Sequence, residues 1–143
     1  MKHIFFVLLI LIGTTVFAQV DKMLGSWKTI DDKTGETKSV VRIYKATDGK
    51  YYGKIEKLFA EEGSKCIKCE GKDKDQPVLG MVIIRAMEDK KGSLENGSVL
   101  DPESGKFYYG SITYDEKTDK IKLRGSIDKL GVLGRSQVWI RVK

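Results

Sequence analysis

Between Ser26 and Val142 the chain falls into eight short runs rich in β-branched and aromatic residues, and this segmentation restricts its folds more than any other feature. The runs are 26–30 (SWKTI), 38–46 (KSVVRIYKA), 51–59 (YYGKIEKLF), 77–87 (PVLGMVIIRAM), 93–100 (SLENGSVL), 106–114 (KFYYGSITY), 120–127 (KIKLRGSI) and 135–142 (RSQVWIRV). Turn chemistry separates them: Lys33-Thr34-Gly35, Asp48-Gly49, Lys91-Gly92, Asp101-Pro102-Glu103-Ser104-Gly105 and Lys117-Thr118-Asp119. Pro102 has its φ preset for the second position of a turn that Asp101 opens and Gly105 closes. Asp48-Gly49 predicts a tight hairpin with both central residues at positive φ. Helical periodicity is nearly absent. One turn of helix is expected in VDKMLG, capped by Asp21 and ended by Gly25, and a second in EKLFAEEG. Short strands at this spacing predict an all-β antiparallel barrel or sandwich.

Alternation within the runs assigns faces. Val41 and Ile43 share one side of 38–46, and Arg42 and Tyr44 the other. In 120–127, Ile121, Leu123 and Ile127 oppose Lys122, Arg124 and Ser126. The last run sets an apolar row, Val138, Ile140 and Val142, against an amphipathic row, Arg135, Gln137, Trp139 and Arg141. Period two puts each row on one face without saying which face is inside. A one-sided antiparallel sheet must close or fold over. Eight strands enclose an interior that side chains fill or that one small ligand occupies. The candidate ligand contacts are therefore Arg42, Tyr44, Arg124, Arg135, Gln137 and Trp139. Turned inward, the face bearing Arg42, Arg124 and Arg135 would demand an anionic partner such as a carboxylate or phosphate. Turned outward, it is a solvated surface.

The N-terminus sets the compartment. Lys2 precedes nine consecutive apolar residues, 4–12, and Val16 and Ala18 stand at minus three and minus one to a cut before Gln19. This predicts a secretory signal over 1–18, too short and wrongly flanked for a membrane span, and a single domain over 19–143. The expected address is periplasmic or extracellular. The cut removes His3, the one histidine, and leaves histidine-based catalysis and histidine metal sites without their residue. The net charge of +6 is spread through alternating signs, as in DDKTGETK and DEKTDK, which does not predict a nucleic-acid surface.

Cys66 and Cys69, in SKCIKCEGK, are the only cysteines. A structural zinc site needs four ligands, and a redox pair places its first cysteine at a helix N-terminus. Neither context is present, so a local disulfide is expected in an oxidising compartment. Closing so short a loop removes little chain entropy and predicts local rigidity. Ser126-Ile127-Asp128-Lys129 matches S-x-x-K, but on a strand-like segment instead of a helix start. Asp101 and Glu103 flank a turn proline, where carboxylates are solvated. No catalytic residue, metal or cofactor is assigned.

Gly25-Ser26-Trp27 opens the first run and Arg141 lies near the end of the last. This resembles the lipocalin and calycin barrels, in which a G-x-W tryptophan packs across the barrel bottom under an arginine of the final strand; the resemblance assigns Trp27 and Arg141 as the barrel-closing pair. The chain is also similar, from Leu24 to the C-terminus, to exported bacterial proteins known only as domain of unknown function family 2147. The matching stretches are GSWKTIDDKTGETKSVVRIY, YYGKI, CIKCEGKDKDQPVLGMVI, GSVLDPESGKFYYGSI, LRGSI and LGRSQVWIRV, with Leu94 standing where the family shows tryptophan. The resemblance implies an eight-stranded lipocalin-like barrel and supplies no activity. The expected function is a non-catalytic binding protein for a small apolar or amphipathic, anionic lipid-like ligand; the alternatives are an envelope or surface interaction module with a filled barrel, and a thiol oxidoreductase using the Cys66/Cys69 pair.

Overall fold

The computed structural model describes residues 18–59 and 61–143; the expected signal segment lies outside them apart from Ala18. A short helix, α1 (Ala18–Met23), precedes eight strands: β1 (Gly25–Ile30), β2 (Thr37–Lys45), β3 (Tyr51–Leu58), β4 (Val82–Lys90), β5 (Ser93–Asp101), β6 (Lys106–Asp115), β7 (Lys120–Ser126) and β8 (Gly134–Arg141). Each pairs antiparallel with the next, and β8 returns to β1 to close a barrel. The closing seam holds only two registered pairs, Trp27↔Arg141 and Lys28↔Ile140, whereas β7 and β8 share seven.

Three connections repeat one design. In DDKTG, DPESG and DEKTD the first aspartate accepts the backbone N–H two residues on: Lys33 to Asp31 (2.8 Å), Glu103 to Asp101 (3.0 Å) and Lys117 to Asp115 (3.0 Å). The fifth residue is left-handed, with φ 73° at Gly35, 72° at Gly105 and 51° at Asp119. The Asp48-Gly49 turn differs from expectation, because only Gly49 has positive φ (82°). Asp48 accepts from Lys50 N (2.8 Å) and Tyr52 Oη. The hairpin closes through Gly49 N to Ala46 O and Ala46 N to Lys50 O, the geometry of a three-residue loop.

Other boundaries also shift. The helix begins at Ala18, so Asp21 lies inside it instead of capping it, and its Val20 and Met23 are buried under the barrel. The described residues of EKLFAEEG form no helix; Glu56 to Leu58 complete β3. The fourth strand starts at Val82 and not at Pro77, because left-handed Gly80 (φ 87°) breaks the run and donates its N–H to Ile55 O. A bulge at Ala86 (φ 54°) then lets β4 continue to Lys90.

Residues 61–81 form a strap over the outside of β4 and β5. Adjacent residues of a strand face opposite sides, yet Ile83 and Ile84 are both buried, and so is Leu100 beside the inward Val99. The strap is itself a small hairpin, with Cys66 N donating to Gln76 O and Val78 N to Ser64 O, both at 2.9 Å. Arg85 fixes it to the barrel by a bidentate pair with Asp73 (2.9 and 3.0 Å) that is largely shielded from solvent.

Inside, side chains occupy the axis. Trp27, Ile43, Ile84, Met87, Ile112 and Trp139 are all within 2 % of full burial. Met87 lies over the facing pair Gly97↔Gly110, where a Cβ on Gly110 would come within 2.4 Å of Met87 Cε and 2.6 Å of Val99 Cγ2. On β8 the amphipathic row faces inward: Trp139 is buried, while Val138 and Ile140 are exposed on the outside. On β7, Ile121 and Leu123 are buried, but Ile127 leaves the strand and is exposed while Ser126 is buried, so that grouping fails at its last member.

Candidate binding surfaces

One barrel end is shut by a polar lock around an indole. Trp27 Nε1–H donates to Met23 O (2.8 Å), tying β1 to α1. The Arg141 guanidinium stacks on the Trp27 ring at 4.3 Å and donates through Nη2 to Lys22 O (2.6 Å). Arg141 Nε donates to Asp119 Oδ2 (2.9 Å), whose carboxylate also accepts from Tyr114 Oη (2.9 Å). Asp119 is the left-handed residue of its turn where the two equivalent turns use glycine. Aspartate tolerates that conformation better than most side chains, and here it supplies the anion for Arg141.

The Arg141 guanidinium, and then the Tyr114 hydroxyl, hold the Asp119 carboxyl below its ordinary value. A depressed folded pKa means stability that is present above the unfolded value, about 4, and lost as pH falls through the folded one. Thermal melts of wild type and Asp119→Asn should therefore differ most at neutral pH and converge below about pH 4. A gap that stayed constant down to pH 2 would show that the carboxylate charge contributes nothing.

The candidate ligand contacts do not form one site. Arg42 and Tyr44 point outward; Arg42 lies 3.7 Å from Glu56, and Tyr44 stacks with Tyr52 at 6.1 Å between centroids. Arg124 is also outside, whereas Arg135 belongs to the inward row at the other, open end of the barrel, where it pairs with Asp32 (3.2 Å). The three arginines thus occupy two faces. Gln137 and Trp139 are inward, joined by Trp139 Nε1–H to Gln137 Oε1 (3.1 Å). A cleft of about 570 Å³ lies outside the lumen between the strap and the β2–β4 surface, lined by Tyr44, Tyr52, Lys72, Gln76 and Met81.

Cys66 and Cys69 form a disulfide, with Cα atoms 5.3 Å apart, and both are buried. The loop they close is seated on the β5–β6 turn: Cys66 Sγ lies 3.3 Å from Pro102 O, and Gly105 stands directly against the backbone of Lys68 and Cys69. Ile67, between the cysteines, points to solvent with Lys65 and Lys68 on either side. Pro102 and Gly105 therefore seat the disulfide loop, while Asp101 orders their turn by accepting from Glu103 N and Ser104 Oγ.

The β7–β8 connection, residues 127–133, holds none of the binding residues expected from the sequence. It carries Ile127, Leu130, Val132 and Leu133, all between 62 % and 90 % exposed. The loop is nonetheless ordered by its own polar groups. Asp128 accepts from Val132 N (2.9 Å) and Leu133 N (2.6 Å), and Ile127 N donates to Leu133 O (3.0 Å). Arg124 Nε and Nη2 both donate to Gly131 O (2.9 and 2.7 Å). Backbone donors hold the Asp128 carboxyl below its ordinary value. The run LGVL, between Lys129 and Gly134, is the sequence signal for the loop: three aliphatic residues and a glycine without strand alternation.

Comparison with known proteins places the fold. Protein HP1028 from Helicobacter pylori, described as belonging to the lipocalin family, superposes with a TM-score of 0.74 at 20% sequence identity, over 85% of this chain and 83% of that one. The barrel is thus lipocalin-like in fold. No curated protein matches the sequence. Residues 25–141, from the glycine that opens β1 to the arginine that closes on Trp27, match the family described as uncharacterized protein conserved in bacteria (DUF2147), and the chain belongs to that family.

Proposed function

We propose that the protein is an exported, non-catalytic binding module whose barrel interior is filled by its own side chains and whose binding surfaces lie on the barrel's outside and open rim. The observation that carries this reading is the packed axis, from Trp27 and Trp139 to Met87 nested over Gly97 and Gly110. One cleft lies outside it, beside Tyr44 and Tyr52. The convergent polar groups are engaged in holding structure: Asp119 with Arg141, Asp128 with the loop amides, Asp73 with Arg85. The N-terminal pattern and the buried disulfide support export. Burial of both sulfurs opposes the thiol oxidoreductase reading, since exchange requires an attacking thiolate to reach one of them.

One observation favours a second reading, a small amphipathic ligand. Inward-facing Leu58, Tyr108 and Gln137 are only partly buried near the open end, where the head of such a molecule could rest. The test is a native mass spectrum of protein purified from its producing cells, beside the denatured mass. We expect equal masses. A reproducible excess lost on denaturation would replace the filled-barrel reading with the ligand reading.

A further inference from the structure

The expected signal cut and the folded part of the chain meet at one residue. Ala18, the last residue of the signal pattern, is also the first of α1. Directly after it the chain is committed to the barrel. Val20 and Met23 are buried, Lys22 O accepts from Arg141 Nη2, and Met23 O accepts from Trp27 Nε1–H. A cut further along would remove part of this lock. A cut before Gln19 spares all of it and leaves Gln19 as the new N-terminus. Gln19 is itself exposed, and its side chain lies against the β4–β5 turn, where a Cβ on Gly92 would come 2.9 Å from Gln19 Oε1.

We propose that Gln19 is a modification site: once the cut frees its amine, the residue closes on itself to a pyroglutamyl lactam that blocks the mature N-terminus. This rests on the export reading above, because only the cut supplies the amine. The α-amine nitrogen attacks the side-chain Cδ, the N–Cδ bond forms and the Cδ–Nε2 bond breaks. Ammonia leaves, carrying the proton that the amine gives up. The reaction consumes no oxidant, metal or second substrate. Amine and carboxamide belong to one residue and close a five-membered ring, so the step has the advantage of an intramolecular reaction. An α-amine is partly neutral, and so nucleophilic, near neutral pH, where lysine is not. The fold suits the position in two ways. Gln19 is exposed and rests on a glycine, so no side chain of that turn position pins the carboxamide away from the amine. The next residue, Val20, is buried, so a free ammonium would stand one residue from the core. The lactam replaces that charge by a neutral amide where the chain enters the barrel. It also denies aminopeptidases the free amine they need, at the head of the segment that carries the lock.

The test is the reduced intact mass and the fragmented N-terminal peptide of protein purified from the exported fraction of its producing cells. Gln19→Asn, prepared in the same way, is the control, since asparagine would need a four-membered ring. Wild type should begin at residue 19, weigh one ammonia less than the sum of its residues, and take no amine-reactive label at its N-terminus. The loss should lie in the N-terminal peptide. Asn96-Gly97 can also shed ammonia, by attack of the Gly97 nitrogen on the Asn96 side chain, and a loss found only there overturns the proposal. Gln19→Asn should show its full residue sum and a labelled α-amine; a blocked N-terminus in this variant assigns the block to another group and overturns the lactam. Wild type that begins at Gln19 with a free amine overturns the proposal and leaves the export reading intact. A mature chain that begins at any other residue overturns it too, and one that still carries residues 1–18 removes the export reading as well.

Discussion

Replacing Trp27 by alanine is expected to cost about 3–5 kcal/mol, the largest loss for any single side chain of this barrel. The indole is fully buried, and it is the surface on which the end of the barrel is assembled: its N–H holds the Met23 carbonyl and its face carries Arg141. Alanine removes the buried area and leaves a void under a guanidinium whose other partners, Asp119 and Lys22 O, are partly exposed. Helix α1 would lose its main tether, and with it the burial of Val20 and Met23. For a domain of this size the midpoint of thermal unfolding should fall by roughly 10–20 °C. Trp27→Phe keeps most of the area and loses the hydrogen bond, so about 1–2 kcal/mol is expected. Urea unfolding of the three proteins measures both. A loss below about 1 kcal/mol for alanine would mean that the indole does not organise the barrel end.

Gly105→Ala should also be strongly damaging, and a sibling turn separates its two causes. Gly35 and Gly105 occupy the same position of the same turn design, with φ of 73° and 72°. A Cβ on Gly35 meets nothing within 4 Å, whereas on Gly105 it would lie 2.1 Å from Lys68 O and 2.8 Å from Cys69 N. These are backbone atoms, so no change of rotamer relieves the contact. Gly35→Ala should cost only the left-handed strain, about 1 kcal/mol, and Gly105→Ala about 2–3 kcal/mol. The excess has a local signature, because a disulfide loop lifted off its turn opens its sulfurs to solvent. Reduction by a mild thiol under native conditions should therefore be much faster in Gly105→Ala than in wild type or Gly35→Ala. Equal costs for the two alanines, with unchanged reduction rates, would rule out the seating of the loop as a stabilising contact.

The strand count and most boundaries were legible because turn chemistry is local. An aspartate that accepts the amide two residues on, followed by a left-handed residue, announces itself in DDKTG, DPESG and DEKTD without tertiary context. The sign of a face is not local. Alternation on β8 separated Val138 and Ile140 from Gln137 and Trp139, but the inside was decided by the closing of β8 onto β1, which required Arg141 to meet Trp27. The fourth run misled for a related reason. Residues 77–81 are apolar enough for a strand, yet the strap uses them: Val78 and Met81 are buried with the core ahead of β4. The two cysteines could be read as a staple, but not what they staple, since the partner turn lies 36 residues on from Cys66. The exposed aliphatics of residues 127–133 are split between the end of one strand-like run and a stretch of turn residues, so no periodic pattern marks them.

The narrow seam between β1 and β8 has a consequence for how the chain acquires its structure in time. Every other strand finds its partner a short hairpin or one strap away, but the seam joins Trp27 to Arg141, from opposite ends of the matched family region. Loop-closure entropy and contact order place such a pairing late, after the seven local pairings have formed. The final strand must also be synthesised, and in an exported chain translocated, before closure is possible. Until then the nascent sheet has two free edges and an uncapped indole, an interval in which a holding chaperone has the most to do.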